Sequence, residues 1–296
     1  MLNKLKERIM QAKLDGKFIQ TTRLILLPLD VSDAADAFKW CGDPEVTKFM
    51  NYTMYTNADY VAKWIADSGH NCFGIFLREN GQLIGSGDVA LRRDHISYEL
   101  GYNLAKAYWG KGYATEASKA MLAYRVAQGV TEFACEHAVD NARSGRVIQK
   151  CGFVYQADGT YTSFDGMRTF NSRKYALHLD SHSMNVDGKW FDKVVGGSKT
   201  IELRLNDDKR RNVKVGDYVI LNNLAEKPEL TKCVVQVTAL HKFDNYEDLY
   251  NNLDMAKCGY SKSDVPNPDD MLEYYSAERQ AEWGVVGIEF DLLAVL

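Results

Sequence analysis

The sequence lacks the features of a secreted, metal-binding or membrane-spanning chain. Its six cysteines are scattered without a Cys-x-x-Cys pair, and its six histidines are equally dispersed. This distribution predicts reduced, mostly buried thiols, a cytoplasmic location and no structural metal site. We find no N-terminal leader pattern and no apolar run long enough to span a bilayer, so we expect no membrane partner.

Positive charge is also scarce. The formal net charge is −4 at pH 7, which argues against a generally cationic nucleic-acid or membrane binder. Residues 181–296 hold 14 Lys and Arg against 20 Asp and Glu, a formal charge of −6, which leaves +2 for residues 1–180. An acidic C-terminal part is a poor general phosphate binder.

Helical and strand-like segments alternate through the first part of the chain, and the length of 296 residues predicts two domains. Asn141 is expected to cap a helix that ends near Gly152. Later strands are short and helices few, apart from a helix expected from Asp270 to Arg279. These patterns predict an α/β (α+β) domain over residues 1–180 and a small β-barrel over residues 181–296.

One stretch, Tyr108-Trp-Gly-Lys-Gly-Tyr-Ala-Thr-Glu116, lies between a predicted strand and a predicted helix. Its small residues let a backbone approach a ligand without interference from Cβ atoms. The helix that follows presents unpaired N–H groups and the positive end of its dipole to this loop. The stretch therefore predicts an anion site, most naturally for a pyrophosphate.

This loop resembles the coenzyme A loop of the GNAT N-acetyltransferases, whose core is Gln/Arg-x-x-Gly-x-Gly/Ala. Gly112-Tyr113-Ala114 fills the Gly-x-Gly/Ala part, and Trp109 stands where Gln or Arg is usual. A second GNAT signature begins at Asn141, in the run Asn-Ala-Arg-Ser-x-x-Val-Ile-x-Lys-x-Gly-Phe. The sequence around Trp109 is typical of the branch that acetylates ribosomal-protein N-termini and of related antibiotic acetyltransferases. The resemblance implies a mixed sheet flanked by helices.

The resemblance also implies acetyl-CoA as cosubstrate and an amine, such as a protein N-terminus, as acceptor. Asn141 would bind the pantetheine arm, and the Ser144 hydroxyl would lie near the thioester sulfur; structurally, Asn141 is also a helix cap. Glu99 matches a strand position where many GNAT enzymes keep a general base, the alternative being a strand-end carboxylate paired with a lysine. The implied coenzyme contacts are Trp109, Gly110, Lys111, Gly112, Tyr113, Ala114, Thr115, Asn141 and Ser144.

Residues 181–296 resemble an ASCH domain, a relative of the PUA RNA-binding fold. The resemblance rests on the pattern Gly-x-Lys199-x-x-Glu202-x-Arg204, followed by Val-Gly-Asp. On an ideal strand Thr200, Glu202 and Arg204 share one face, while Lys199 lies on the other. A pocket for RNA or a nucleoside, lined by Lys199, Thr200, Glu202 and Arg204, is one expectation. A cross-strand salt bridge is the other.

The sequence leaves three functions open. The first is acetyl-CoA-dependent N-acetyl transfer, with an accessory RNA- or nucleoside-binding ASCH module. The second is an RNA- or nucleoside-binding protein with a vestigial GNAT half. The third makes the ASCH domain an amidohydrolase that acts on acetylated cytidine through a Lys and a Thr of this strand. Because Thr takes the position of Glu202 in that hydrolytic branch, we expect binding rather than hydrolysis.

Overall fold

The computed structural model describes residues 2–68, 72–92, 94–226 and 228–296, with side chains from residue 5 onward. The chain divides into two compact units, and the division falls between Leu179 and Asp180. Within the described residues, no helix is both long enough and apolar enough to cross a membrane.

The N-terminal unit is a mixed sheet flanked by helices, as predicted. Its helices are α1 (Leu2–Leu14), α2 (Ala34–Cys41), α3 (Pro44–Thr47), α4 (Ala58–Asp67), α5 (Tyr113–Val126) and α6 (Ala142–Lys150). Its strands are β1 (Ile19–Gln20), β2 (Leu24–Pro28), β3 (Phe73–Leu77), β4 (Leu83–Leu91), β5 (Tyr98–Leu104), β6 (Glu132–Ala138), β7 (Val154–Thr162) and β8 (Thr169–His178). The strand order is β7-β8-β6-β5-β4-β3-β2-β1. Strands β5 and β6 pair in parallel, and the other neighbours in this unit are antiparallel.

Helix α5 packs one apolar side against this sheet. Met121 is fully buried, and a Cβ on Gly87 of β4 would lie 2.8 Å from the Met121 methyl carbon. The absence of a side chain at Gly87 therefore lets the helix approach the strand closely. Trp40 of α2 is also fully buried, so a second helix contributes to the core of this unit.

The C-terminal unit is a small mixed β domain with several short helices. Its strands are β9 (Ser181–Val186), β10 (Ile201–Leu205), β11 (Tyr218–Asn223), β12 (Lys232–Phe243) and β13 (Val285–Val295). Its helices are α7 (Gly188–Val195), α8 (Asp208–Arg211), α9 (Tyr246–Asn252) and α10 (Ala277–Trp283). The strand order is β10-β13-β12-β11-β9, and two register shifts between the long strands β12 and β13 mark bulges. This architecture fits the PUA-like β domain that the sequence predicts.

Two expectations for the C-terminal unit are wrong in detail. Strand β10 begins at Ile201, so Lys199 and Thr200 precede it, and Lys199 forms an isolated bridge with Cys258. The helix expected from Asp270 is replaced by a 3₁₀ helix, Pro268–Glu273, and by α10. The Ser276 side chain accepts a hydrogen bond from the Arg279 N–H, which starts α10 afresh after the first helix has ended.

Candidate active site

Strands β5 and β6 separate soon after they begin. Tyr98 pairs with Phe133 and Glu99 with Ala134, and the register between the two strands ends there. On their other edges the two strands are paired along their length, β5 with β4 and β6 with β8. Alternate backbone N–H and C=O groups of residues 100–104 and 135–138 therefore face an open cleft. A cavity of about 1430 Å³ lies at this cleft.

The cavity brings together most of the residues that the sequence singles out in this unit. Its lining includes Glu99, Trp109, Gly110, Gly112, Tyr113, Ala114, Thr115, Asn141 and Ser144. Lys111 does not contribute to the lining. Its ammonium lies 5.3 Å from the centroid of the Tyr108 ring instead, so its expected role toward phosphate is not seen in this conformation.

The loop before α5 owes its shape to glycine and to one arginine. Gly110 and Gly112 have φ angles of +75° and +84°, a region that side chains disfavour. The Arg23 guanidinium donates to the Glu116 carboxylate at 2.6 Å and to the Lys111 carbonyl at 3.0 Å. These contacts hold the N-terminal end of α5, with its unpaired N–H groups and positive dipole, against the cavity.

Helix α6 adds a row of basic side chains that sequence reasoning missed. Arg143, Arg146 and Lys150 recur at positions i, i+3 and i+7, and all three line the cavity. The Arg143 guanidinium lies 4.8 Å from the centroid of the Trp109 ring, whose Nε1 donates to the Leu104 carbonyl at 2.8 Å. Cations beside a helix N-terminus suit the phosphates of a nucleotide coenzyme. The helical spacing was the signal available in the sequence.

A pair of hydroxyl groups lies between β5 and α6. The Tyr102 and Ser144 oxygens are 2.9 Å apart, and Asn141 accepts a hydrogen bond from the Ser144 N–H at 3.3 Å. Burial raises the pKa of Tyr102, so the phenol stays protonated and able to donate. Sequence reasoning missed Tyr102, although its alternation with Leu100 along β5 places both on the helix α6 side of the strand.

Glu99 lies on the opposite face of β5 from Tyr102. Its Oε2 is 3.7 Å from the Arg92 Nε, so the nearby cation is an arginine rather than the lysine considered above. Burial raises the pKa of Glu99; Arg92 opposes the shift, while Glu136 and Asp94 add to it. A raised pKa makes a carboxylate a stronger base near neutral pH.

The polar residues of the C-terminal unit form a buried ion cluster. Glu202 Oε1 lies 2.9 Å from Arg204 Nη2, and Glu202 Oε2 lies 3.4 Å from Lys199 Nζ. Their side chains are only 5%, 9% and 14% exposed for Lys199, Glu202 and Arg204. The expectation that Lys199 points away from Glu202 is wrong, because Lys199 precedes the strand and is not bound by strand alternation. Thr200 is held by two backbone hydrogen bonds. Its N–H donates to the Lys257 carbonyl, and its own carbonyl accepts from the Phe290 N–H.

This ion cluster leaves several buried polar atoms without a hydrogen-bond partner. They include Glu202 Oε2, Arg204 Nε and Tyr246 Oη. Arg204 does donate to the Asn185 carbonyl at 2.6 Å and to the Tyr275 hydroxyl at 3.5 Å. Among the residues that the structure describes, no group of three or more His, Cys, Asp or Glu is arranged to hold a metal ion.

The site combines separated parallel strands, a glycine-containing loop at a helix N-terminus and a carboxylate beside the cleft. This combination is typical of acyltransferases that use an acyl-CoA. Family comparison makes the class more specific. Residues 23–154 match the family model of the acetyltransferase (GNAT) domain, and residues 184–294 match that of the ASCH domain. The chain thus contains a GNAT acetyltransferase domain followed by an ASCH domain, which confirms both domain resemblances.

Known relatives match the N-terminal part. The uncharacterised N-acetyltransferase p20 of Bacillus licheniformis is 32% identical over 114 residues, which cover 36% of this chain and 64% of that relative. The match therefore spans less than two thirds of the relative. The uncharacterised N-acetyltransferase YoaA of Bacillus subtilis is 27% identical over 144 residues, 46% of this chain and 81% of the relative. A GNAT-family acetyltransferase structure from Bacillus anthracis has 21% identity and a TM-score of 0.51, covering 54% of this chain and 98% of that one. It supports the fold.

Proposed function

We propose that the N-terminal domain transfers the acetyl group of acetyl-CoA to a primary amine. The observation that carries this proposal is the cleft between β5 and β6, which has anion-binding groups on one side and Glu99 on the other. The loop of residues 109–115 and the basic row of α6 would hold the phosphates. Asn141 would hold the pantetheine arm, which the cleft admits between the two strands.

The chemistry then divides among residues of the cleft. Glu99 accepts a proton from the acceptor ammonium, and the freed amine attacks the thioester carbonyl. Backbone N–H groups along the separated strands stabilise the negative charge that develops on the carbonyl oxygen. As the carbon–sulfur bond breaks, the nitrogen gives up its second proton, and the Ser144–Tyr102 hydroxyl pair relays that proton to the departing thiolate, so both hydroxyl groups end as they began. Each side chain named lines the cavity.

A protein N-terminus, such as that of a ribosomal protein, is the first acceptor to test. The support is the sequence around Trp109, which resembles the branch that acts on such N-termini. Transfer of a radiolabelled acetyl group to a panel of amines, peptides and ribosomal proteins would identify the acceptor. If the protein binds acetyl-CoA but labels none of these acceptors, the result would favour a vestigial GNAT half that binds acetyl-CoA without transferring its acetyl group.

The coenzyme site can be tested without knowledge of the acceptor. Gly112→Glu should abolish acetyl-CoA binding, because it places a negative charge and a side chain at a position with φ +84° in the phosphate-binding loop. Gly129→Glu is the matched control: its φ is +88°, a similar strain, but it does not line the cavity. A folded Gly112→Glu protein with unchanged acetyl-CoA affinity by calorimetry would show that the site is assigned wrongly.

For the ASCH domain we propose a nucleoside or short RNA as ligand, bound at Lys199, Thr200, Glu202 and Arg204. Buried polar atoms without a hydrogen-bond partner, such as Arg204 Nε and Tyr246 Oη, favour this assignment, because such atoms cost free energy unless a ligand satisfies them. Arg204 can present a planar fork to a phosphate or a base edge. The third function, hydrolysis of acetylated cytidine, is disfavoured by Glu202 in place of Thr.

The ligand can be sought by titrating the full chain with short RNAs, cytidine and acetylated cytidine, while loss of the acetyl group is followed. Arg204→Ala should abolish binding; Arg210→Ala, whose side chain pairs with Asp207 at 2.8 Å in α8, is the control. Binding of a nucleoside or RNA without loss of the acetyl group would support the proposal. Loss of the acetyl group from acetylated cytidine would instead support the hydrolase function. No binding at low salt would leave the module a structural or protein-binding unit.

A further inference from the structure

A second carboxylate lies on the same side of the sheet as Glu99, across the cleft. Glu99 on β5 is registered with Ala134 on β6, and neighbouring residues in register project from the same face. Side chains alternate along a strand, so Glu136, two residues beyond Ala134, also lies on that face. Both Glu99 and Glu136 line the cavity.

The two carboxylates come from backbone positions that are well separated. Two residues along a strand advance about 6.6 Å, and neighbouring strands lie about 4.8 Å apart, so the two Cα atoms are at least about 8 Å apart. The separation of β5 from β6 increases this distance. Glu99 and Glu136 therefore offer two distinct positions to an acceptor.

Glu136 is held in place without being neutralised by a neighbouring cation. Ser172 on β8 donates to Glu136 Oε1. Lys174 lies opposite Glu136 in the β6–β8 register, but its side chain extends over Gly159 of β7, where a Cβ would come 3.1 Å from its Nζ. Within the described part of the chain, no Lys or Arg is within ion-pair distance of Glu136.

Lys48 and Lys106 also line the cavity, and both, like the nearby Arg168, have contacts of their own. Lys106 pairs with Glu45 at 2.5 Å, and the Lys48 ammonium lies 5.1 Å from the Phe49 ring centroid. The Arg168 guanidinium donates to four backbone carbonyls, those of Thr47, Lys48, Met50 and Tyr52. Three aromatic residues, Phe49, Tyr161 and Phe164, also line the cavity.

We infer that Glu136 binds a second cationic group of the acceptor, so that the acceptor is an amine that bears another positive charge. A carboxylate beside aromatic faces suits an ammonium or guanidinium group. The inference rests on the proposed function, since it places the reacting amine at Glu99. The second cation can belong to a small diamine or to a basic side chain next to a peptide N-terminus.

Binding and transfer are measured separately to test this inference. Calorimetry on the full chain saturated with coenzyme A compares 1,4-diaminobutane with butylamine, and the tetrapeptide amides Ser-Lys-Ala-Ala and Ser-Ala-Ala-Ala with each other. At least one dicationic probe should bind about 10-fold or more tightly than its monocationic partner. Glu136→Gln should remove that preference. Which pair shows it identifies the source of the second charge.

Glu132→Gln is the matched control, because Glu132 lies on the same strand but pairs with His178 at 2.6 Å and does not line the cavity. The control should keep the preference for the dicationic probe. Equal binding within both pairs, or a preference that survives Glu136→Gln, would overturn the inference. A preference that depends on Glu136 in a protein that transfers no acetyl group would uphold the inference and refute the proposed transferase activity.

Discussion

Asp88 of β4 should make the N-terminal domain less stable as the pH rises through the mildly acidic range. It is registered with Gly101 of β5, and a Cβ on that glycine would lie 3.0 Å from Asp88 Oδ1. Burial raises the pKa of Asp88 to about 6 from 3.8; the Glu99 carboxylate adds to the shift, and Arg125 opposes it. The pKa is therefore raised on folding by about 2 units, which corresponds to about 3 kcal/mol.

The direction of this change in stability follows from how many protons Asp88 binds in the folded and unfolded states. Between about pH 4 and pH 6 the folded protein holds more protons on Asp88 than the unfolded chain does, because the pKa is raised on folding. The free energy of unfolding therefore falls as the pH rises through this window, and the full cost is present at pH 7. Asp88→Asn cannot ionise, so it should be more stable than the parent by up to about 3 kcal/mol at pH 7. The difference should shrink to well under about 1 kcal/mol near pH 4.

Urea unfolding followed by circular dichroism, at intervals from pH 4 to pH 8, measures this difference. Asp158→Asn is the control for the change in net charge, since Asp158 is an exposed residue of β7. That control should shift the free energy of unfolding by less than about 0.5 kcal/mol. An Asp88→Asn protein no more stable than the parent at pH 7, or a gain that does not shrink toward pH 4, would refute the reasoning.

Three further predictions concern activity. Glu99→Gln should lower kcat by about 10²–10⁴-fold with little change in acetyl-CoA affinity, because it removes the proton acceptor and keeps the shape; unchanged turnover at neutral pH would remove Glu99 from the mechanism. Arg168→Met should raise KM for the acceptor more than KM for acetyl-CoA. The reason is that the loop of residues 47–52 loses four hydrogen bonds from the guanidinium. Equal changes in the two KM values would contradict a role of Arg168 on the acceptor side. Lys150→Glu should weaken acetyl-CoA binding, and more so at low salt, because it reverses one charge of the α6 row; an affinity that does not depend on this charge would exclude Lys150 from the phosphate site.

The shape of the proposed coenzyme loop could be predicted from the sequence because its determinants are local. A glycine-containing loop followed by a helix occupies nine consecutive residues, and its conformation depends on backbone φ angles that glycine permits. Asn141 caps α6 as expected, because a cap and its N–H donor are three residues apart. Interactions between residues this close in the sequence can be recognised from the sequence alone.

The proposed acceptor side could not be predicted in the same way because its parts meet only through the sheet. Glu136 is 37 positions from Glu99, and its place on the same face depends on the parallel register of β5 with β6. Arg168 reaches a loop more than a hundred residues earlier. In the ASCH domain, alternation failed at Lys199 because the strand starts two residues later than expected.

The alternation of side chains along β5 would determine the side from which each substrate of the proposed reaction reaches the cleft. Tyr102 lies toward α6, which carries the basic row, whereas Glu99 lies on the face that Glu136 shares. In the proposed reaction, an anionic coenzyme would be attracted to one face of the separated strands and a cationic acceptor to the other. The two substrates would then not compete for the same charges, and only the thioester would pass through the cleft between them. A slip of one residue in the register of β5 would exchange the two faces and place the base beside the thiolate. The full pairing of β5 with β4, over seven residues, fixes that register on the edge away from the cleft.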